Sequence, residues 1–360
     1  MTMMMTGFPG FLGSALPPRI LERTGGDAVC LVQSQYAAEA SRRLDQLAAQ
    51  DRSLLHRVRL VDGDITRPGL GLPADGSVTD DVTEVWHLAA VYDLAVARDL
   101  AVRVNVAGTR NVLDAIAPCP KLERFHYFST CFVSGRYPGA WREDDLDEPG
   151  PFNNFYEETK HLAEVEVRRR MADGLPATIY RPSVVVGDSV TGATQKYDGP
   201  YVIMQWLLRQ PRVAVLPMTG DPTLTCVNVV PRDFVIDAVA RLSALPASAG
   251  RAYQLADPRP LPVDGMVDVL AEATGRRVVR VRVPRRLAKG AIRHGPGINR
   301  LMRIPAEAVD YFTHPTAYLT DHVDEDLAGS GIEVPRFDDY APRLVSFMRA
   351  HPEIGSRAMV

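Results

Sequence analysis

The stretch Met3-Met-Met-Thr-Gly-Phe-Pro-Gly-Phe-Leu-Gly13 decides the fold. Its apolar start predicts a strand, the spacing Gly7-x-x-Gly10-x-x-Gly13 follows at the strand's end, and Ser14 to Thr24 reads as a helix. Glycines at such a turn let the backbone approach a pyrophosphate, whose charge then sits on amide groups at the helix N-terminus. Phe8, Phe11 and Leu12 lie within the turn and are expected against the same ligand. A glycine turn of packing value alone is the competing reading, and its place at the head of an alternating β/α pattern argues against it. The expected fold class is therefore α/β: a Rossmann doubly wound parallel sheet with a smaller, mainly helical C-terminal substrate-binding domain. Residues 1–190 are expected to bind the dinucleotide, with 226–257 returning to that domain. Residues 191–225 and 258–360 are expected to hold the substrate.

Composition narrows the class of function. The 360 residues are 46% hydrophobic and 24% charged, as in ordinary globular proteins. A net charge of -3 offers no global attraction to nucleic acid, and no apolar run approaches the ~20 residues that span a bilayer. The opening Met1-Thr-Met-Met-Met-Thr6 is too short for a signal peptide and lacks its positive flank. Cys30, Cys119, Cys131 and Cys226 have no paired spacing, so a reducing cytoplasm is expected. The eight histidines show no ligand pattern, and no metal is expected.

Working outward from the turn, Ala28 to Val32 reads as the second strand, whose end meets the adenosine ribose in a dinucleotide fold. Gln33 stands there in place of a carboxylate, and Arg42 and Arg43 follow, so NADP(H) is expected over NAD(H). Leu60 to Ile65 reads as the third strand and its exit turn, with Asp64 and Ile65 bracketing the adenine. Val82 to Ala90 is the fourth, where Ala89 and Ala90 leave room for the cofactor and His87 is expected to be a core histidine. Asn105, in the middle of the next helix, calls for polar partners near the reacting centre.

Arg124 to Gly135 reads as a fifth strand delivering Ser129 and Thr130 to the ligand side. The acidic run Trp141 to Glu148 is expected to be a solvated loop. In Phe152-Asn-Asn-Phe-Tyr-Glu-Glu-Thr-Lys160, helical spacing sets Tyr156 and Lys160 on one face. A phenol titrates near pH ~10, and a neighbouring ammonium is expected to lower that value and make Tyr156 a general acid/base. Tyr-x-x-x-Lys is common by chance and gains meaning only from its company. Ala177 to Gly187 reads as the sixth strand, with Pro182 limiting backbone donors where a nicotinamide carboxamide would be received.

The ordered set Gly7/Gly10/Gly13, Asp64, His87-Leu-Ala-Ala90, Asn105-Val-Ala-Gly-Thr109, Thr130, Tyr156-x-x-x-Lys160 and Arg181-Pro182 resembles the extended short-chain dehydrogenase/reductase family over about residues 1–260. Thr6 to Gly13, Arg181 to Gly192 and Val227 to Val235 are similar to its branch of fatty acyl-CoA reductases and carrier-bound thioester reductases. The resemblance implies a Rossmann domain binding NAD(P)H. Thr130, Tyr156 and Lys160 would be the catalytic set, joined by Asn105, and Ser129, Arg181, Pro182 and Val184 would contact the cofactor. It also implies reduction of an apolar carbonyl, an acyl thioester, aldehyde or ketone, with Tyr156 as proton donor. Gln33 departs from the basic residue often found there. No adenylation or carrier domain is read in the chain, so an acyl substrate is expected to arrive already activated on CoA or a carrier protein.

Towards the C-terminus, Val202 to Leu208 is apolar and suits an apolar substrate, although such spacing is more often core. Between Ala273 and Pro305 stand Arg276, Arg277, Arg280, Arg282, Arg285, Arg286, Lys289, Arg293, Arg300 and Arg303, with no acidic residue. Val279, Val281 and Val283 alternating with Arg280 and Arg282 predict a half-buried edge strand with a basic outer face. Docking of a polyanionic partner is the sharper alternative. A sugar-nucleotide epimerase or dehydratase and a non-catalytic dinucleotide sensor share the fold and stay open, as does oligomerisation.

Overall fold

The computed structural model describes residues 1–73, 75, 77–284 and 306–355. β1 (Thr2–Thr6) feeds α1 (Phe11–Thr24), and β2 (Asp27–Val32) feeds α2 (Ala37–Ala48). The short α3 (Leu54–Arg57) leads into β3 (Val58–Asp62). After β4 (Val82–His87), one continuous helix runs from α4 (Arg98–Ala101) through a π-helical stretch (Val102–Ala107) into α5 (Gly108–Ile116). Then come β5 (Arg124–Phe128), β6 (Gly139–Trp141), α6 (Phe155–Ala172), β7 (Ala177–Pro182) and β8 (Val184–Val186). The chain continues with α7 (Tyr201–Arg209), β9 (Val213–Met218), β10 (Val229–Pro231), α8 (Arg232–Ser243), β11 (Ala252–Leu255), α9 (Val263–Thr274) and β12 (Arg277–Arg282). β13 (Thr316–Tyr318), α10 (Asp321–Leu327) and α11 (Phe337–Ala350) complete it.

Seven strands form the main sheet in the order β3-β2-β1-β4-β5-β7-β11, every neighbour parallel. A parallel sheet is covered on both faces, which is why the middle of β1 is three consecutive methionines. Met3 and Met5 point into one apolar layer with α1 and α8, while Met4 points into the other with α5 and α6. A further apolar cluster gathers α7, α9 and α11. α10 instead lies on β11 and α8, adding Val323 and Leu327 to the α1 layer.

Two expected strands are shorter than read. The fifth stops at Phe128 and gives way to a 3-10 turn, Cys131–Ser134, whose first free N–H, from Phe132, is accepted by Thr130 Oγ1 at 3.3 Å. The sixth leaves the sheet after Pro182, and β8 pairs with β10 apart from it. The basic strand forms with the opposite phase to that expected. Val278 packs inward, Arg280 bonds Asp264 (2.6 Å) and Asp268 on α9, and Val279 and Val281 are 49% and 44% exposed. The carboxylates of α9 supply a partner that hydrophobic alternation does not reveal. Arg276 donates to the carbonyls of Leu207 (3.3 Å) and Gln210 (3.1 Å) at the end of α7, so it too is committed within the fold. Arg285, Arg286, Lys289, Arg293, Arg300 and Arg303 lie outside the described residues.

The acidic run 141–148 is not a solvated loop. Trp141 is buried on β6, which pairs with β13, and Gln254 of β11 donates its side-chain amide to the carbonyls of Trp141 (2.8 Å) and Leu319 (2.7 Å). Glu143 is buried and accepts the Gln254 N–H at 2.9 Å, and burial pushes its carboxyl up to about 7. Arg181, expected on the cofactor, closes this arrangement from β7. Its guanidinium meets Glu164 of α6 at 2.6 Å and donates to the carbonyls of Glu143 (3.1 Å) and Asp145 (2.7 Å), with both charged side chains wholly buried. Carbonyls and a carboxylate on this side of β7 draw the arginine away from the ligand side. Burial alone would raise the Glu164 carboxyl, but Arg181 overrides it and holds it at about 2.

Because the folded value of Glu164 is depressed, the stability this pair contributes is present above the ordinary carboxylate range and is lost only as pH falls towards 2. Arg181→Met, which strands the buried carboxylate, is expected to cost about 3–5 kcal/mol in urea unfolding near neutral pH. The remaining folded protein should keep its dinucleotide affinity, and a weakened affinity at unchanged stability would contradict this placement.

Candidate active site

A cleft of about 430 Å³ opens beyond the carboxyl ends of the central strands, where the sheet order reverses between β1 and β4. One end is the glycine turn. Gly7 has φ +93°, and a Cβ there would stand 2.9 Å from the Ala89 nitrogen. At Gly13 it would stand 2.3 Å from the Gly7 carbonyl. Gly10 N–H closes the turn onto Gly7 O at 2.8 Å. α1 begins at Phe11 without a side-chain cap or an acidic residue in its first turn, so its first amide groups remain available to an anion.

Most of the expected site residues line this cleft. Gly7, Phe8, Gly10, Phe11, Leu12 and Gly13 form its floor at the turn, and Gln33 and Ile65 its far wall. Ala89 and Ala90 follow β4, Ser129 and Thr130 follow β5, and Pro182 and Val184 come from the β7–β8 junction. Tyr156 and Lys160 rise from α6, whose N-cap Asn154 accepts the Glu157 N–H at 3.0 Å. The hydroxyl of Thr130 donates to the Pro182 carbonyl at 3.4 Å and faces the Tyr156 phenol, whose ionised form it favours.

Five expected residues stand elsewhere. Arg181 is buried with Glu164, as described. Arg42 and Arg43 sit on α2 off the cleft lining, and Arg43 donates to Gln46 Oε1 at 2.9 Å. Asp64 lies just behind the wall, accepting Gln33 Nε2 (3.2 Å) and the Thr66 N–H (2.8 Å). Asn105 is buried in the π-helical stretch, where its amide brackets the backbone of Val91 (2.9 and 3.1 Å) and donates to Thr159 Oγ1 at 3.0 Å. It therefore ties the loop after β4 to the helix turn carrying Lys160, without touching the cleft. His87 is a core histidine as expected, buried and lowered by that burial to about 3.

The electrostatics of the pair differ from expectation. Burial raises the Tyr156 phenol above its ordinary value, with the Thr130 hydroxyl opposing only part of the rise. Lys160 does not offset it. Its ammonium turns to the end of β5, donating to Tyr127 Oη (2.9 Å) and the Phe128 carbonyl (2.6 Å), and burial lowers it to about 7. Helical spacing put both residues on one face, but the long lysine chain reaches acceptors on β5 instead of the phenol. A phenol held protonated is a loaded proton donor, which is the state a reduction requires.

Sequence reading missed Tyr92, Phe132, Ser183, Tyr311 and Phe312, all on the cleft wall. Tyr311 and Phe312 arrive from a 3-10 segment about 150 positions after Tyr156 and carry no motif. The buried Ser183 hydroxyl has no hydrogen-bond partner among the described residues. That orphan, the close-packed glycines of the turn and the uncapped helix together fit a dinucleotide. Among the described residues no group of three or more His, Cys, Asp or Glu could hold a metal, and no helix is long and apolar enough to cross a membrane.

Comparison with known proteins agrees with this geometry. Residues 5–239 match the profile of a family of NAD-binding domains described as male sterility protein. The chain is 28% identical over 289 residues to a component of the linear gramicidin synthase of Brevibacillus parabrevis, covering 77% of this chain and 6% of that protein. It is 26% identical over 294 residues to the aldehyde reductase lnbA of Aspergillus flavus, covering 76% and 28%. The chain thus spans less than a third of the length of these curated relatives. Among solved structures, the terminal R domain from the myxalamid PKS-NRPS biosynthetic pathway superposes with a TM-score of 0.82 at 25% identity, covering 98% of this chain and 91% of that one. DesIV, a dTDP-glucose 4,6-dehydratase from Streptomyces venezuelae solved with NAD, shares the fold with a TM-score of 0.70 at 20% identity, covering 98% of each chain. With the glycine turn, the cleft and the phenol in place, the chain belongs to the male sterility protein family within the extended short-chain dehydrogenase/reductases, and is an NAD(P)-dependent oxidoreductase.

Proposed function

We propose that this oxidoreductase reduces an apolar acyl thioester or aldehyde, using Tyr156 as proton donor and NADPH in preference to NADH. The observation that carries the reading is the placement of the Tyr156 phenol beside Thr130 in one cleft whose other end is the glycine turn. A reduced nicotinamide, when bound, supplies the hydride. The amide groups of the turn and of the first turn of α1 would hold the pyrophosphate, and Ser183 would meet the nicotinamide amide. Thr130 and Tyr156 would donate to the substrate carbonyl oxygen, where negative charge develops, and Tyr156 would pass its proton to it. From a thioester, the tetrahedral hemithioacetal then expels the thiol and leaves an aldehyde, without a cysteine nucleophile.

The substrate class rests on the wall and on the relatives. Tyr92, Leu94, Phe132, Val202 and Phe312 offer apolar surface around the phenol. Among the relatives, one is an aldehyde reductase and another the terminal R domain of a PKS-NRPS pathway, which supports a substrate arriving on CoA or on a carrier protein. The cofactor preference rests on Gln33, a neutral side chain on the wall at the end of β2, since Arg42 and Arg43 lie off the cleft.

Oxidation of NADPH and NADH against acyl-CoAs, long-chain aldehydes, bulky ketones and nucleotide sugars tests the reading. Turnover of a thioester or aldehyde, faster with NADPH, is expected. Tyr156→Phe should lower kcat by ~10²-fold or more while leaving NADPH affinity unchanged, because only the transition-state donor is lost. Full turnover by that variant would contradict the assignment, and purified protein carrying bound NAD with activity on a nucleotide sugar would replace it.

A further inference from the structure

Beneath the cleft, a line of buried side chains joins Lys160 back to the glycine turn. Lys160 Nζ donates to Tyr127 Oη at 2.9 Å and lies 4.4 Å from the centre of that ring. The Thr109 hydroxyl faces the same phenol and favours its ionised form. Thr109 Oγ1 is 2.9 Å from His87 Nε2, and His87 Nδ1 is 2.8 Å from Thr6 Oγ1. None of the five side chains belongs to a residue more than 3% exposed.

Backbone geometry fixes which way the protons point. Thr6 Oγ1 accepts the N–H groups of Leu88 (3.2 Å) and Ala89 (3.1 Å), so both of its lone pairs are taken. Its own proton therefore goes to His87 Nδ1. The neutral imidazole carries its hydrogen on Nε2 and donates to Thr109. Thr109, accepting from Nε2, turns its own proton towards the Tyr127 oxygen, which faces Lys160 as an acceptor.

We propose that Tyr127 is a positioning residue: its phenol oxygen, oriented by Thr109, His87 and Thr6, fixes the charge state and direction of Lys160. A hydrogen bond to the charged form of a group favours that form, and burial opposes it, so this acceptor helps the ammonium survive towards alkaline pH. The Phe128 carbonyl (2.6 Å) is the second acceptor and the charge of Glu164 also favours the ammonium, so the Tyr127 oxygen is the neutral side-chain contribution that a substitution can remove. Glu164, one turn along α6, is already bound by Arg181 of β7, His87 of β4 is neutral, and Tyr156, one turn earlier, is a protonated phenol. The consequence for turnover rests on the reductase reading above, whereas the charge of Lys160 does not.

The chain contains four lysines, Lys121, Lys160, Lys196 and Lys289, so an NMR titration of ε-carbon-labelled lysine resolves Lys160, with Lys160→Arg assigning its signal. In the wild type the Lys160 midpoint should lie near neutrality. Tyr127→Phe, which removes one oxygen and keeps the ring, should lower it by about one pH unit, and the alkaline limb of kcat should move down with it. Thr109→Val should shift both in the same direction by less, and Thr109→Ser should restore them. A merely structural lesion would lower the melting temperature or kcat without moving either midpoint. An unmoved lysine midpoint in Tyr127→Phe and Thr109→Val overturns the proposal, as does a Thr109→Ser midpoint displaced as far as that of Thr109→Val. If the wild type reduces no carbonyl, the function proposed above falls, while the lysine titration still decides this inference.

Discussion

Gly13 has no room for a side chain: a Cβ there would sit inside the carbonyl of Gly7. That contact brings α1 down onto the end of β1, and with it the uncapped amide groups that face the cleft. Gly7 makes the matching approach to the backbone after β4, so the two strands on either side of the sheet's order reversal are fixed against one turn. The cleft exists because these backbones touch.

Buried charge organises the opposite side of the chemistry. Arg181 and Glu164 satisfy each other and tie the 143–145 backbone to β7, whose end leads into Ser183. Lys160 instead donates to the neutral acceptors of Tyr127 and Phe128, and burial, opposed by the charge of Glu164, brings it near neutrality. One helix, α6, thus presents a carboxylate held strongly charged and, one turn away, an amine poised between its two states. The phenol another turn back is held in the form that gives up a proton.

The parallel sheet was legible because strands buried on both faces must be apolar throughout, and the glycine spacing announces itself where no side chain fits. The same local rules put Thr130, Tyr156 and Lys160 in the cleft. They failed where a partner came from far along the chain. Trp141 to Glu148 looked solvated because Gln254, and β13 beyond it, are more than 100 positions away. The phase of β12 was inverted by the carboxylates of α9, and Tyr311 reached the cleft without any pattern of its own.

By itself, then, the sequence determined the α/β architecture, the nucleotide turn and the face of α6 that carries the phenol and the amine. These are properties of backbone sterics and of neighbours a few residues apart. Only the tertiary structure decided that the amine leans towards Tyr127 and that Arg181 serves the fold instead of the cleft. It alone set the phenol in surroundings whose burial favours its protonated form. Each of these depends on which distant acceptor a long charged side chain meets once water has been removed, and no local spacing encodes that choice.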